Sequence, residues 1–387
     1  MNTPAAAHRE ALVIGAGLAG AAVCAQLARR GWHITLLDAA SGAARGASAL
    51  PVGMLSPHVT RAPTPLSRLS ALGMQATLAE LHRLVPQGHG WQPCEVDNLG
   101  HDPGRWPAAL VRPGALVQAW LDEAGEQVSL RSQAQVHRLV RTTAGHWQAQ
   151  GTDGEVFAEA PVAVVTAAYG SLALLTDDSG LMEPDHLPLR PVKGQLSLAE
   201  QHGTPAAPRP QRDSGVFVPR YEDSGLSPEW PARLWAMGST YTRGDATTHL
   251  TTEAHEANAL SLETISEAAA ALMRRSLHRG DLLGWAQVRC ASLDRLPLVG
   301  AVPDAQALRE RMALAGGRRE RLSPDDIPRA SGLYMLGALG SRGITLAPLC
   351  ASWLAAVIND EPVQADPDLL AALDPARFAW RQARRQA

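Results

Sequence analysis

The chain has 387 residues, of which 45% are hydrophobic, with 35 basic and 38 acidic side chains and a net charge of -3. A chain of this length buries a large core and usually divides into two domains, while the near-neutral balance excludes a protein that works mainly by global attraction to nucleic acid, a local basic face remaining open. The four cysteines, Cys24, Cys94, Cys290 and Cys350, form no CxxC pair, which argues against a disulfide framework or a zinc site and fits a reduced, cytoplasmic compartment.

The first predicted unit runs from residue 10 to 38: strand "EALVIG", a glycine turn, helix "LAGAAVCAQLARRG" stopped by Gly31, and strand "HITLLDA". The apolar run from Ala11 to Ala28 has the composition of a signal peptide or membrane span. Gly15, Gly17 and Gly20 interrupt it at a spacing that reads instead as a buried strand and helix, so no membrane association is expected. A loop rich in Gly, Ala, Ser and Pro spans Ser41 to Pro65, and a helix is predicted from Leu66 to about Val85. Prolines 93, 103 and 107 break the pattern between Trp91 and Arg112, as in an excursion from the first domain. "PGALVQAWLDEAG" reads as a helix starting near Pro113.

From Val128 to Ala168 short alternating runs recur, as in an antiparallel meander returning to a buried parallel strand. "LRPVKGQLSL", "GVFVPRY" and "RLWAMGSTY" predict further strands, followed by one long helical stretch from about Thr252 to Leu277. "GWAQVRCASLDRLPLVG" returns to the first domain, a polar insertion covers Pro303 to Arg329, and "GLYMLGAL" predicts a last buried strand before a helix from about Leu346 to Ile358. The expected fold is therefore α/β: a Rossmann-like dinucleotide-binding domain of residues 1–85, 113–180 and 281–387, with a second, antiparallel-sheet substrate domain of residues 86–112 and 181–280.

Gly15, Gly17 and Gly20 form GxGxxG between strand and helix, with Asp38 at the end of the next strand. The first glycine makes the turn, the second admits a pyrophosphate, and the third lets helix pack on strand, while free N–H groups at the helix start hold the phosphates. Asp38 accepts hydrogen bonds from a ribose 2′-hydroxyl and repels a 2′-phosphate, which selects FAD or NAD over NADP. A second glycine loop, Gly337, Gly340 and Gly343, precedes the last helix. A nicotinamide enzyme needs one such loop. A second helix N-terminus suits the negative charge of a reduced flavin, so FAD is the expected cofactor, with Ser341, Arg342 and Ile344 beside the ring.

"VIGAGLAG", "RGASALPVGMLSP", "LRPVKGQLSL", "GSTYTRGDATT", "RCASLDRLPLVGAVPD" and "GALGSRGITLAPLCASWLA" resemble the D-amino-acid-oxidase type of FAD oxidoreductases, whose nucleotide-binding domain is of the glutathione-reductase type. More narrowly, with "TYTRGD" and "LDPARF", the chain resembles the FAD-dependent half of the MnmC enzymes of tRNA wobble-uridine modification. Those enzymes pair it with a methyltransferase domain not seen here, so a separate methyltransferase is an expected partner. Their flavin loop "ASGNxxG" reads Ala47-Ser48-Ala49-Leu50-Pro51-Val52-Gly53 in this chain.

The resemblance implies oxidation of a C–N bond without a side-chain nucleophile, so the histidines, His58 included, are expected to be structural or solvated. It places Ala16, Ala19 and Ala39 with the first loop and Asp38. It also places Arg45, Gly46, Ala47 and Ser48 along the pyrophosphate and flavin, and Gly53 and Met54 at the ring. Val136 would meet the adenine, and Thr166, Ala167 and Gly170 would line the cofactor. Arg289, ahead of Asp294, Pro297 and Gly300, would pair with a substrate carboxylate, its alternative being a structural ion pair. Tyr241, Arg243 and Lys193 complete the expected substrate side. A tRNA substrate needs phosphate contacts. Three arginine clusters offer them: Arg274, Arg275 and Arg279; Arg318, Arg319 and Arg321; and Arg377, Arg381, Arg384 and Arg385. Two other readings stay open: a small-molecule oxidase or dehydrogenase acting on glycine, sarcosine or D-amino acids, and a flavoprotein that binds FAD without turnover.

Overall fold

In the computed structural model, which describes residues 9–177, 179–314 and 323–386, the apolar N-terminal stretch divides at its glycines. Strand β1, Glu10–Ile14, ends at Gly15, whose φ of +106° suits a residue without a Cβ. Helix α1, Leu18–Ala28, follows with every residue but Gln26 buried. Gly31, at φ +77°, reverses the chain into β2, His33–Leu37, which runs parallel to β1 with Val13 opposite Leu36.

Six strands form the first sheet, in the order Leu298–Pro303, Arg329–Gly337, Val162–Val165, β1, β2 and Val128–Arg131. All neighbours are parallel except the antiparallel edge strand Leu298–Pro303. The chain leaves β1 toward β2 on one side and later fills the other side with Val162–Val165. Such a reversal of strand order opens a crevice at the carboxyl ends of the strands, where open α/β sheets bind ligands. Leu12, Val13 and Val164 are fully buried beneath that crevice, and α1 packs against the helices Pro113–Ala124 and Gly343–Ile358. By length and apolar composition the segment Gly340–Ile358 is able to cross a membrane, yet most of it is buried in the protein interior.

The second sheet has nine strands, mostly antiparallel. Toward one end of it Leu189–Glu200 and Leu283–Ser292 pair over ten positions, from Leu189 opposite Ser292 to Leu198 opposite Leu283. A three-stranded meander, Arg138–Arg141, Trp147–Gln150 and Val156–Ala160, stands apart, as its alternating sequence predicts.

Several bounds differ from the sequence reading. Gly53–Leu55 and Leu283–Ser292, expected with the nucleotide-binding part, hydrogen-bond in the nine-stranded sheet instead. The proline-broken stretch 91–112 is a pair of long strands, Trp91–Asn98 and Gly104–Val111. The helical run from Thr252 splits into Thr252–Glu263 and Glu267–Arg279, because the Ser266 hydroxyl accepts from the Ala269 N–H and starts a new helix. The polar insertion after Pro303 contains the helix Ala305–Leu314.

Candidate active site

A cavity of about 1200 Å³ lies at the carboxyl end of the parallel sheet and reaches the face of the nine-stranded sheet. Its first end is built by the GxGxxG turn. A Cβ on Gly20 would stand 1.8 Å from the Gly15 carbonyl oxygen, and one on Gly15 would stand 2.7 Å from that of Thr166. These contacts hold helix, turn and neighbouring strand too close for any side chain. Thr166 locks the turn through its hydroxyl, which donates to the carbonyls of Ile14 and Gly15, both at 2.8 Å. Gly17 and Ala19 line the cavity, whereas Ala16 and Gly20 shape the turn from behind.

Asp38 closes the same end. Its carboxylate accepts from the Ala16 N–H at 2.6 Å and from the Ala40 N–H at 2.7 Å, which clamps the turn against the end of β2. A carboxylate has about four acceptor sites, so two hydroxyls remain bindable there. The Asp38 carbonyl also accepts from the Ala134 N–H, which brings Val136 beside Ala39 on the cavity wall. Ala167 and Gly170 line this region too.

Along the middle, Arg45, Gly46, Ala47 and Ser48 line the cavity. The buried Ser48 hydroxyl accepts from the Leu18 N–H at 2.9 Å, so the loop sits directly over the start of α1. Gly53 faces Ile344, whose Cδ1 would be 2.5 Å from an added Cβ, and Met54 lies next to it on the wall. Gly337, Gly340, Ser341, Arg342, Gly343 and Ile344 supply the opposite wall. The helix Gly343–Ile358 starts there with no side chain capping its first N–H groups. Uncapped N–H groups at a helix start carry partial positive charge, so they attract an anion or an electron-rich ring.

The far end belongs to the nine-stranded sheet. Arg289 donates from Nη1 to the Ser239 hydroxyl at 2.9 Å and from Nη2 to the Thr240 carbonyl at 2.7 Å, and its Nε is buried without a partner among the described residues. Its guanidinium stands 5.0 Å from the centre of the Tyr241 ring. Among the described residues Arg289 makes no ion pair. Burial lowers its proton affinity, but an arginine stays cationic in a protein. Arg342 likewise makes no ion pair or side-chain hydrogen bond among the described residues, and burial and the nearby Arg295 lower its affinity in the same direction.

Two expected residues lie elsewhere. Successive side chains of a strand point to opposite faces; Gly194 faces the cavity, so Lys193 turns away, reaching the Thr247 hydroxyl at 3.1 Å and the Asp245 carboxylate at 3.5 Å. Arg243 is exposed, its guanidinium 5.7 Å from the Tyr241 ring centre and off the cavity wall. The arginine clusters do not converge here either. Arg274 pairs with Glu263 and Arg279 with Asp281, while Arg377 and Arg381 share Asp294 at 2.9 and 3.0 Å. Arg275 is exposed and Arg384 lies over Trp380. Arg318, Arg319, Arg321 and the side chain of Arg385 lie outside the described residues.

Conversely, His58 and Arg212 line the cavity, and no sequence pattern marked either one. "QRD" carries no motif and His58 lies just past the "RGASALPVGMLSP" stretch, so only the pairing of distant strands brings the two together.

The FAD dependent oxidoreductase family (DAO) matches residues 10–109 and 104–357. The bifunctional protein MnmC of tRNA 5-methylaminomethyl-2-thiouridine biosynthesis is 35% identical in Paracidovorax citrulli, over 95% of this chain and 60% of the relative, and 36% identical in Delftia acidovorans, over 97% and 62%. The chain thus spans about three fifths of their length. Glycine oxidase from Geobacillus kaustophilus superposes with a TM-score of 0.70 at 17% identity, covering 95% of this chain and 99% of that one. Iminodiacetate oxidase from Chelativorans sp. BNC1 gives 0.68 at 19%, covering 94% and 98%. These two establish the fold.

Proposed function

Since the chain belongs to the FAD dependent oxidoreductase family and is an oxidoreductase of that kind, we propose that it binds FAD along the described cavity and oxidises the C–N bond of a secondary amine that carries a carboxylate. The substrate we assign is carboxymethylaminomethyl-uridine at the wobble position of tRNA: its carboxymethyl carbon would give up a hydride and its nitrogen a proton, and one water would hydrolyse the resulting imine to aminomethyl-uridine and glyoxylate. The single observation that carries the carboxylate requirement is Arg289: a half-buried guanidinium on the cavity wall, its Nε enclosed, held by neutral acceptors and with no acid paired to it among the described residues. A desolvated cation of this kind is costly unless an anion completes it.

The residues present fit the cofactor. The cradle at Gly15 and Gly20 excludes any Cβ, Gly17 lines the cavity between them, and Asp38 keeps acceptor capacity for ribose hydroxyls. The uncapped start of Gly343–Ile358 offers N–H groups to an electron-rich ring. When bound, FAD supplies the two-electron acceptor for the amine. The protein's own part is positional: Arg289 orients the carboxylate, Tyr241 packs beside it, and Met54, Leu196, Val216 and Trp285 give the chamber apolar walls that limit water. No residue needs to act as a nucleophile. The aminomethyl product is a fit acceptor for methyl transfer, so a methyltransferase is what we assign to the next step.

The test is anaerobic bleaching of the yellow holoprotein. Carboxymethylaminomethyl-containing tRNA should bleach it, with glyoxylate released in equal amount. Bleaching by glycine, sarcosine or D-amino acids alone overturns the tRNA assignment. Failure of all these substrates would leave a flavoprotein without the proposed amine chemistry.

A further inference from the structure

The substrate end of the cavity holds more positive charge than one carboxylate needs. Arg212 lines it and donates to three neutral acceptors: Asn98 Oδ1 at 2.9 Å, Ser56 Oγ at 2.7 Å and the Pro57 carbonyl at 2.8 Å. It makes no ion pair among the described residues. His58, next to Pro57, also lines the cavity, and its side chain makes no hydrogen bond among the described residues. Arg342 lines the same cavity, whereas Arg295 is exposed and off its wall, and only its charge reaches His58 and Arg342. Burial lowers the basicity of His58, and the charges of Arg342, Arg212 and Arg295 lower it further. Among the described residues no acid is ion-paired with this group. Asp294 is engaged by Arg377 and Arg381, and Asp213, which also lines the cavity, forms no ion pair with Arg212, Arg295 or Arg342.

Like charges gathered without a directly paired counter-charge repel one another, and the arrangement is relieved when a polyvalent anion enters. The pyrophosphate of the cofactor is assigned to the other end, at the start of α1, and the substrate carboxylate to Arg289. A further anion is therefore called for beside the reacting group. Building on the wobble-uridine reading, we propose that Arg212, Arg295 and Arg342 around His58 form a phosphate subsite that takes a backbone phosphate of the RNA next to the reacting nucleotide. The subsite would hold RNA independently of Arg274, Arg279, Arg377 and Arg381, which are engaged in ion pairs.

The test separates the subsite from the reaction. Binding of an unmodified anticodon stem–loop RNA to the FAD-loaded protein is followed by fluorescence anisotropy against salt concentration, for the unaltered chain, Arg295→Gln and Arg212→Gln. Flavin absorbance confirms that each variant is folded and loaded. Each variant should bind several-fold more weakly, with the salt slope reduced by about 0.7 for each phosphate of single-stranded RNA that the variant no longer neutralises. Equal affinities and equal slopes in all three proteins overturn the subsite, even if the modified tRNA bleaches the flavin. Reduced slopes without bleaching support the subsite and overturn the amine chemistry. In turnover, the variants should raise KM for a modified stem–loop several-fold more than for the free modified nucleoside, and equal rises for both substrates count against the subsite.

Discussion

Arg289 spends its terminal nitrogens on the Ser239 hydroxyl and the Thr240 carbonyl, both neutral, so its charge is held in place without being cancelled. That distinction matters energetically. A hydrogen bond to a charged group contributes roughly 1.5–3 kcal/mol, which is a factor of about 10 to 150 in affinity. Arg289→Ala should therefore keep its flavin absorbance while KM for the carboxylate-bearing substrate rises by about 10- to 150-fold; unchanged kinetics would remove Arg289 from the substrate site. Arg289→Lys should recover little, because an ammonium cannot serve the Ser239 and Thr240 acceptors and a carboxylate at once with the same planar fork. Lys193 shows the opposite outcome. The family resemblance put it on the substrate side, yet as the neighbour of the cavity-facing Gly194 it turns to Asp245 and Thr247, where it pins the segment that follows Tyr241.

Among the elements, the C-terminal helix Ala376–Gln386 is tied to the turn before Leu298–Pro303 by Asp294. Burial pushes this carboxyl group up, but hydrogen bonds and charge from Arg377, with Ser292 and Arg381, outweigh it and hold the group down at about 2. The folded pKa is below the unfolded value of about 3.9, so the stabilisation is complete above pH 4 and is lost as pH falls through about 2. Asp294→Asn should lower the thermal midpoint at pH 5–7, costing roughly 2–3 kcal/mol because the buried Arg377 loses its anion. The difference from the unaltered chain should shrink between pH 4 and 2. A constant difference across that range would mean that the pair contributes nothing through its charge.

Elements with local causes were the ones legible in the sequence. The βαβ unit was readable because each of its parts has such a cause: β-branched strand, three spaced glycines, an alanine-rich helix, Gly31 and Asp38. The meander and the last strand and helix were readable for the same reason. The break at Ser266 was missed because helical periodicity continues across it, and only the hydroxyl cap reveals the new start. The sheet membership of Leu283–Ser292 was missed because pairing with Leu189–Glu200 is non-local. His58 and Arg212 became visible only through such pairing. Their side chains carry no motif, and a histidine after a proline reads equally well as a solvated loop residue.

At the scale of the whole molecule, one cavity touches both sheets, so a dinucleotide lying in it contacts segments from nearly the full length of the chain. A ligand that binds the folded state alone stabilises it by about 2.7 kcal/mol at a hundredfold excess over Kd. Protein stripped of flavin should melt several degrees lower than the same protein with added FAD, and NAD should give no comparable rise. An equal shift with NAD would contradict the assignment of the second glycine loop to a flavin ring.

The strand Arg329–Gly337, which completes the parallel sheet beside Val162–Val165, leaves the ribosome long after its neighbour. At 5–20 residues per second the nascent Val162–Val165 waits roughly 10–30 s with one flank unpaired. For that interval the growing polypeptide offers a bare, valine-rich ribbon to other chains, which makes soluble yield depend on translation speed and on chaperones that shield the ribbon until its late partner arrives.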